Sequence, residues 1–229
     1  MDLLINQTKS INEMGFCIPG YPKIPSAEMR YERIEVDGRD GELLIEKGYS
    51  NITYTIPINA LEDESIKPLF RDLKYHLRKA QTILLTDDRS VFYKVKRVKF
   101  GDIENELEIY GYFEVEFELA PHEYFTNVPL ITVTTPKVIK NAGFYFSQPK
   151  FIIYGNSECK FKVNGTNITV KSVSDSVVID SEIEECYKNN ANWNNMMIGD
   201  FPIFEEGDNT VEIVSGASKI EIEPRWRSV

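Results

Sequence analysis

The stretch Val36-Asp-Gly-Arg-Asp-Gly-Glu-Leu-Leu-Ile45, with the run Ile52-Thr-Tyr-Thr-Ile-Pro-Ile58 behind it, decides the reading of this chain. Asp37-Gly38 and Asp40-Gly41 set two turn-forming pairs on either side of Arg39. Glycine takes positive φ without a Cβ penalty and aspartate bonds its own nearby backbone, so a tight reversal is predicted here. Ile34 and Val36 before the reversal and Leu43 to Ile45 after it complete a hairpin. Beyond Gly48, Ile52, Tyr54, Ile56 and Ile58 alternate with Asn51, Thr53, Thr55 and Pro57, which is a period of two with one apolar face. Turn and strands together predict the seed of a β-sandwich rather than a catalytic loop. Arg39 is expected to act as a structural clamp, bonding Asp40 or nearby carbonyls across the reversal.

At 229 residues the chain has room for one large domain or two of ordinary size. Its hydrophobic content of 42% is too high for disorder. The formal charge of −10 is spread along the chain, with 23 acids against 16 bases through Asn127 and 13 against 10 beyond it. Binding phosphates requires a basic surface, so nucleic acid is not expected as a direct partner. Cys17, Cys159 and Cys186 are odd in number and widely spaced, which supports neither a zinc site nor a disulfide framework; three reduced, mostly buried thiols are expected. No secretory leader and no membrane-length apolar run is visible, so no membrane association is expected.

Along the chain, residues before Ser26 read as an opening strand and then an extended proline-rich segment through Pro19, Pro22 and Pro25. One helix is predicted over about 65–79. Ser65 is placed at its N-cap, Glu62 to Glu64 suit the positive end of its dipole, and Pro68 falls in the first turn. Ile66, Leu69, Phe70, Leu73 and Leu77 form its apolar stripe. Strands follow at Thr82–Leu85 and Val91–Phe100, where a phase change predicts a bulge near Lys96-Arg97. Tyr112 to Leu119 is the most regular strand, with Glu114, Glu116 and Glu118 on one face that is expected to be solvated or paired with Lys94, Lys96 and Lys99 of a neighbouring strand, and Ala120-Pro121 is expected to stop it.

From Leu130 onward seven short strands are predicted, with no helical stripe: Leu130–Thr134, Phe151–Tyr154, Lys160–Val163, Ile168–Val170, Val177–Asp180, Val211–Val214 and Lys219–Glu223. Asn164-Gly165 signals a hairpin, and Ser215-Gly216 a turn. Tyr187 to Asn195 reads as an exposed, asparagine-rich loop. The expected fold is therefore mainly β, with two β-sandwich domains over 1–127 and 128–229, the first carrying the single helix.

No nucleophile elbow, phosphate loop, dinucleotide fingerprint or zinc-protease motif occurs, and His76 and His122 lie far apart. No catalytic residue, cofactor or metal is expected. What remains are candidate contact residues. Arg71 and Lys74 on the helix, against Glu114 and Glu116 on the acidic strand, are candidates for a contact between copies. Tyr187 and Trp193 are candidates for stacking on a sugar.

The run Asp37-Gly38-Arg39-Asp40-Gly41 with the strand ending at Ile58 resembles the amino-terminal signature of the siphophage distal tail (Dit) family. The single helix and the strand ending in Pro121 and Tyr124-Phe125 agree with it. So does the order Asn141-Ala-Gly143, Pro149, Asn164-Gly165, Phe201-Pro202, Gly207-Asp-Asn209 and Pro224-Arg225-Trp226-Arg227. Ala120 departs from the acidic residue that the family often has before that proline. The resemblance implies a homo-hexameric ring at the distal end of a non-contractile phage tail, made in the bacterial host cytoplasm and built into the virion. It implies a ring-forming first domain and a galectin-like second domain, in a compact form without inserted arms or carbohydrate-binding modules. The partners it implies are the tail tube protein, the tail-associated lysin or hub protein, receptor-binding proteins and the tape measure. The alternative is a carbohydrate-binding protein that recognises host cell-surface polysaccharide through its second sandwich.

Overall fold

The computed structural model describes residues 1–60, 65–101, 104–107 and 110–229; for 104–107 and 110 the description is of backbone alone. The chain divides into two compact units, one of Met1–Thr126 with Val229 and one of Asn127–Ser228.

The elements of the first unit are, in chain order, β1 (Leu3–Ile5), β2 (Lys9–Ser10), β3 (Phe16–Cys17), β4 (Met29–Glu35), β5 (Glu42–Tyr49), β6 (Ile52–Ala60), α1 (Ile66–Arg78), β7 (Thr82–Leu85), β8 (Val91–Phe100), β9 (Glu104–Leu107) and β10 (Tyr110–Phe125). One antiparallel sheet runs β2-β1-β7-β8-β10-β6-β3, with β9 also on β10. Its end strands β2 and β3 are separated in sequence by Ile11–Gly15 alone, so the sheet curls until its edges meet. The Ile18 N–H donates to the Met1 carbonyl at 3.2 Å and the Phe16 N–H to the Ile11 carbonyl at 3.0 Å, which draws the two edges together. The halves of the curled sheet thus face each other as the two layers of a sandwich, filled by Leu3, Phe16, Ile56, Ile58, Phe113, Val115 and Phe117.

The alternation in Ile52–Ala60 does what its period predicts: Ile52, Tyr54, Ile56 and Ile58 are all buried. Helix α1 covers one opening of this core with Ile66, Phe70, Leu73 and Leu77, and the Phe70 ring stands 4.6 Å from that of Phe113. Ser65 has the extended backbone of an N-cap, but its side chain caps nothing. Glu62 to Glu64 lie outside the described residues. The bulge in β8 is present at Lys96, since Arg97 faces Glu118 while Val95 faces Leu119. The expected stop at Ala120-Pro121 is not there. Strand β10 continues to Phe125, and Ala120, Pro121 and His122 loop out against Lys94 in a second register shift. Proline is tolerated at such a site because the ladder there does not need its missing N–H.

The expectation that the hairpin seeds the sandwich is also corrected. β4 and β5 pair with each other, Ile34 opposite Leu43 and Glu35 opposite Glu42, but form a separate two-stranded ribbon. Its apolar residues stay exposed, while β6 alone enters the core.

The second unit contains β11 (Ile131–Val133), β12 (Lys137–Lys140), β13 (Lys150–Val163), β14 (Thr166–Val170), β15 (Asp175–Asp180), β16 (Glu185–Lys188), β17 (Ala191–Asn192), β18 (Met197–Ile198) and β19 (Asp208–Glu223). Two of the seven expected strands merge into β13 and two more into β19. These long strands pair with each other on both sides of a midway bend, where the register shifts around Gly155–Lys160 and at Gly216. Gly216, expected in a turn, is instead a bulge residue at φ +77. Below the bend β11, β15, β16 and β17 extend the sheet; above it β12, β14 and β18 do so. Bending folds one half over the other, and Phe151, Ile153, Phe161, Val163, Phe204, Ile220 and Ile222 fill the space between. The fold is mainly β and of the sandwich kind in both units. The segment Tyr187 to Asn195 is a short hairpin rather than a loop, with Tyr187 opposite Asn192.

Candidate functional site

The ribbon is the first unit's most distinctive surface. Tyr31 is 51%, Leu44 57% and Ile45 44% exposed, on strands without a covering layer. A lone two-stranded ribbon is marginal in water, and its exposed apolar side chains are divided between its two sides, Ile34, Leu43 and Ile45 on one and Leu44 on the other. Cross-strand pairs stiffen it: Arg33 reaches Glu42 at 3.4 Å, Lys47 pairs with Glu32, and Arg30 donates to the Lys47 carbonyl at 3.1 Å. At its base the Tyr49 ring meets His122 edge-on, with centroids 6.0 Å apart.

The tip is Val36 to Gly41. Gly38 and Gly41 sit at φ +78 and +80, which is why glycine stands at both positions. The Arg39 N–H donates to the Val36 carbonyl at 3.1 Å and closes the turn. The clamp expected of the Arg39 side chain is not formed: among the described residues its guanidinium bonds neither Asp40 nor any carbonyl. The turn closes through backbone and glycine, leaving Arg39 projecting into solvent.

The four candidates for a charged contact divide. The Lys74 ammonium lies 4.6 Å above the Phe70 ring, within its own helix. Arg71 is exposed on the same helix. Glu116 pairs with Lys99 at 3.5 Å, and Glu114 accepts a bond from the Tyr112 hydroxyl at 3.1 Å. Of the two glutamates, Glu116 is met by the neighbouring strand β8 and Glu114 from within β10 itself. His76 has Asp72 one turn before it at 3.6 Å.

In the second unit the short motifs spread from Asn141 to Arg227 converge. The Asn141 side chain donates to the carbonyls of Tyr145 (2.9 Å) and Glu205 (3.1 Å). Asn209, fully buried, donates to the Glu205 and Gly207 carbonyls and accepts from the Glu205 N–H and the Asn164 amide. Asn164 and Gly165, both at positive φ, make the two-residue turn expected of them. At Gly143 an added Cβ would stand 2.2 Å from the Arg227 carbonyl oxygen, so only glycine permits that approach. Arg225 holds Asp180 with two bonds of 2.6 and 2.9 Å and reaches Glu182 at 3.1 Å. Burial would raise the Asp180 carboxyl, but bonding and charge from Arg225 outweigh it and hold the group below its ordinary range. These residues are architectural.

Tyr187 and Trp193 are both half-buried beside this sheet, with the Lys188 ammonium 5.7 Å above the Trp193 ring. Trp226 is core, its ring 5.6 Å from Phe204. A cavity of about 430 Å³ opens at the midway bend, lined by Tyr154, Asn156, Asp175 and Lys219; neither Tyr187 nor Trp193 borders it. Among the described residues no group of three histidine, cysteine or acidic side chains is placed to hold a metal, and no helix is long and apolar enough to cross a membrane.

Two solved structures share this succession of β-rich units. The chain is similar to the SPP1 Dit protein, a hub adsorption apparatus component in phages that infect Gram-positive bacteria. That similarity has a TM-score of 0.69 and 13% identity over 97% of this chain and 98% of that one. It is also similar to a chain of the phage P2 baseplate in its activated conformation with Ca, with a TM-score of 0.53 and 12% identity over 96% of each. No family model matches the sequence, and no curated protein does. At such identities it is the course of the backbone that is shared.

Proposed function

We propose that this chain is a structural component of a phage tail tip, a Dit-type hub that assembles as a hexameric ring. The observation that carries the reading is the agreement in fold with SPP1 Dit over nearly the full length of both chains. The ring joins the tail tube to the lysin or hub protein beyond it and holds receptor-binding proteins, with the tape measure ending nearby. Its role is geometric rather than catalytic. The exposed ribbon supports this reading, because symmetric assembly requires complementary surfaces and the ribbon's apolar side chains are left uncovered by the chain's own core. Arg71, Glu114 and the half-buried Tyr187 and Trp193 remain candidate contacts at its outer surfaces.

The test is to image purified protein, alone and with its lysin partner, and to measure its mass. A ring with a central hole and a mass of six protomers is expected. A chain that stays monomeric at high concentration and joins no tail component overturns the reading.

A further inference from the structure

The first unit contains a small cavity of about 140 Å³. One wall is apolar, with Ile24, Pro25, Leu85 and Val91. Facing it are the carboxylates of Asp87 and Glu123 and two tyrosines, Tyr54 and Tyr93. Tyr93 donates its hydroxyl to Glu123. Tyr54 is 4% exposed, yet among the described residues its hydroxyl makes no hydrogen bond. That hydroxyl faces the cavity's solvent rather than being sealed in the core, so it is open to a ligand's donor. Every polar group facing this cavity either accepts hydrogen bonds or is free to, and the charges are negative. What completes the site is therefore a cationic donor.

The apolar wall narrows the choice. A bare metal ion gains nothing from Ile24, Pro25 and Leu85, whereas the stem of a long basic side chain packs on such a wall while its head meets carboxylates. Tyrosine rings favour the planar guanidinium over ammonium, because arginine stacks on them and bonds carboxylates two at a time. We infer that this pocket receives the guanidinium of Arg39 from a neighbouring copy of the chain. The inference rests on the ring assembly proposed above.

The ribbon supplies the donor. Its other cations, Arg30, Arg33 and Lys47, are each bonded within it. Arg39 stands at the tip, beyond the last paired residues Glu35 and Glu42, with its guanidinium unengaged. The seven residues of β4 span about 23 Å, so the arm carries its tip well away from its base. The charge balance adds a reason. Copies that each carry −10 repel one another, so a specific contact between them requires local pairing of opposite sign.

A charge exchange tests the pairing. Asp87 is exposed, and among the described residues its carboxylate accepts a hydrogen bond only from the Asp88 N–H, so Asp87→Arg leaves the core alone. Assembly of wild type, Arg39→Glu, Asp87→Arg and the double variant is measured by light scattering, with thermal unfolding confirming each fold. Asp87→Asn serves where Asp87→Arg fails to fold. Each single variant is expected to lower the assembled fraction at least tenfold, and the double variant to recover most of it. Single variants that assemble like wild type, or a double variant no better than either single, overturn the pairing and leave the ring intact. A wild type that never assembles overturns the ring reading, and the pairing with it.

Discussion

The rings of Phe151 and Phe161 lie 5.9 Å apart, although both belong to the one strand β13. Ten residues of straight strand would separate them by about 33 Å. The strand therefore doubles over, and the contact between its two halves is the contact between the two layers of the sandwich. Phe161→Ala is expected to destabilise the second unit by about 3–5 kcal/mol, and Phe151→Ala similarly. Urea unfolding of both and of the double variant should give a sum short of additive by about 0.5–1.5 kcal/mol.

The bend itself depends on glycine for a reason separable from φ. Gly165 and Gly216 sit at φ +82 and +77, but an added Cβ meets nothing at Gly165 and stands 1.9 Å from the Glu158 carbonyl oxygen at Gly216. Gly165→Ala should cost only the left-handed backbone penalty of about 1–2 kcal/mol. Gly216→Ala should cost about 1–3 kcal/mol more through crowding. Equal unfolding midpoints for the two would contradict this account of the bend.

Arg225 and Asp180 make stability depend on acidity. Asp180 is buried and its folded pKa is depressed, so its contribution is complete above the ordinary carboxylate value and is lost as pH falls through the lowered one. Arg225→Ala strands that charge and should cost about 3–5 kcal/mol near neutrality. The gap between wild type and Asp180→Asn, followed by denaturation from pH 7 to pH 3, should narrow only below about pH 4.

Thiol chemistry offers a simple check of burial. Cys159 and Cys186 are wholly buried, and burial raises both thiols, that of Cys186 to about 11. Cys17 is half-buried. A thiol reagent should therefore modify the native protein once, at Cys17, and three times after unfolding.

Leu44→Glu and Ile45→Lys on the ribbon touch no core residue, so monomer stability should change by less than about 0.5 kcal/mol. Ring assembly should fall sharply. Sedimentation of the two variants beside wild type separates these effects.

What could be read from the sequence was local chemistry. Asn164-Gly165 makes the turn its dipeptide demands, the phase change at Lys96 marks a true bulge, and the stripe from Ile66 to Leu77 packs as its spacing requires. The errors share one cause. Gly155 to Ser157 and Ser215-Gly216 have the composition of turns, and whether such residues reverse a strand or bend it depends on a partner some sixty residues away. The ribbon failed in the same way. Ile34, Leu43 and Ile45 are as apolar as strand residues that are buried, and nothing in their order says whether a covering layer exists. The pairing of Glu116 with Lys99 was legible from the alternation of the two strands, but the buried asparagines at 141 and 209 were invisible for that reason too. Hydrogen bonding between distant loops leaves no period.

The long union of β13 with β19 also sets an order in time. Lys150 pairs with Glu223 and Val163 with Val211, so the second unit's central ladder closes loops of 73 and 48 residues. During synthesis β1 to β10 emerge complete while that ladder still lacks its partner strand. Until the ribosome delivers β19, β13 carries an unpaired edge among buried-type side chains, the condition in which nascent chains aggregate or engage chaperones. The doubled strand that gives the finished domain its two layers makes it the last part of the chain to become safe.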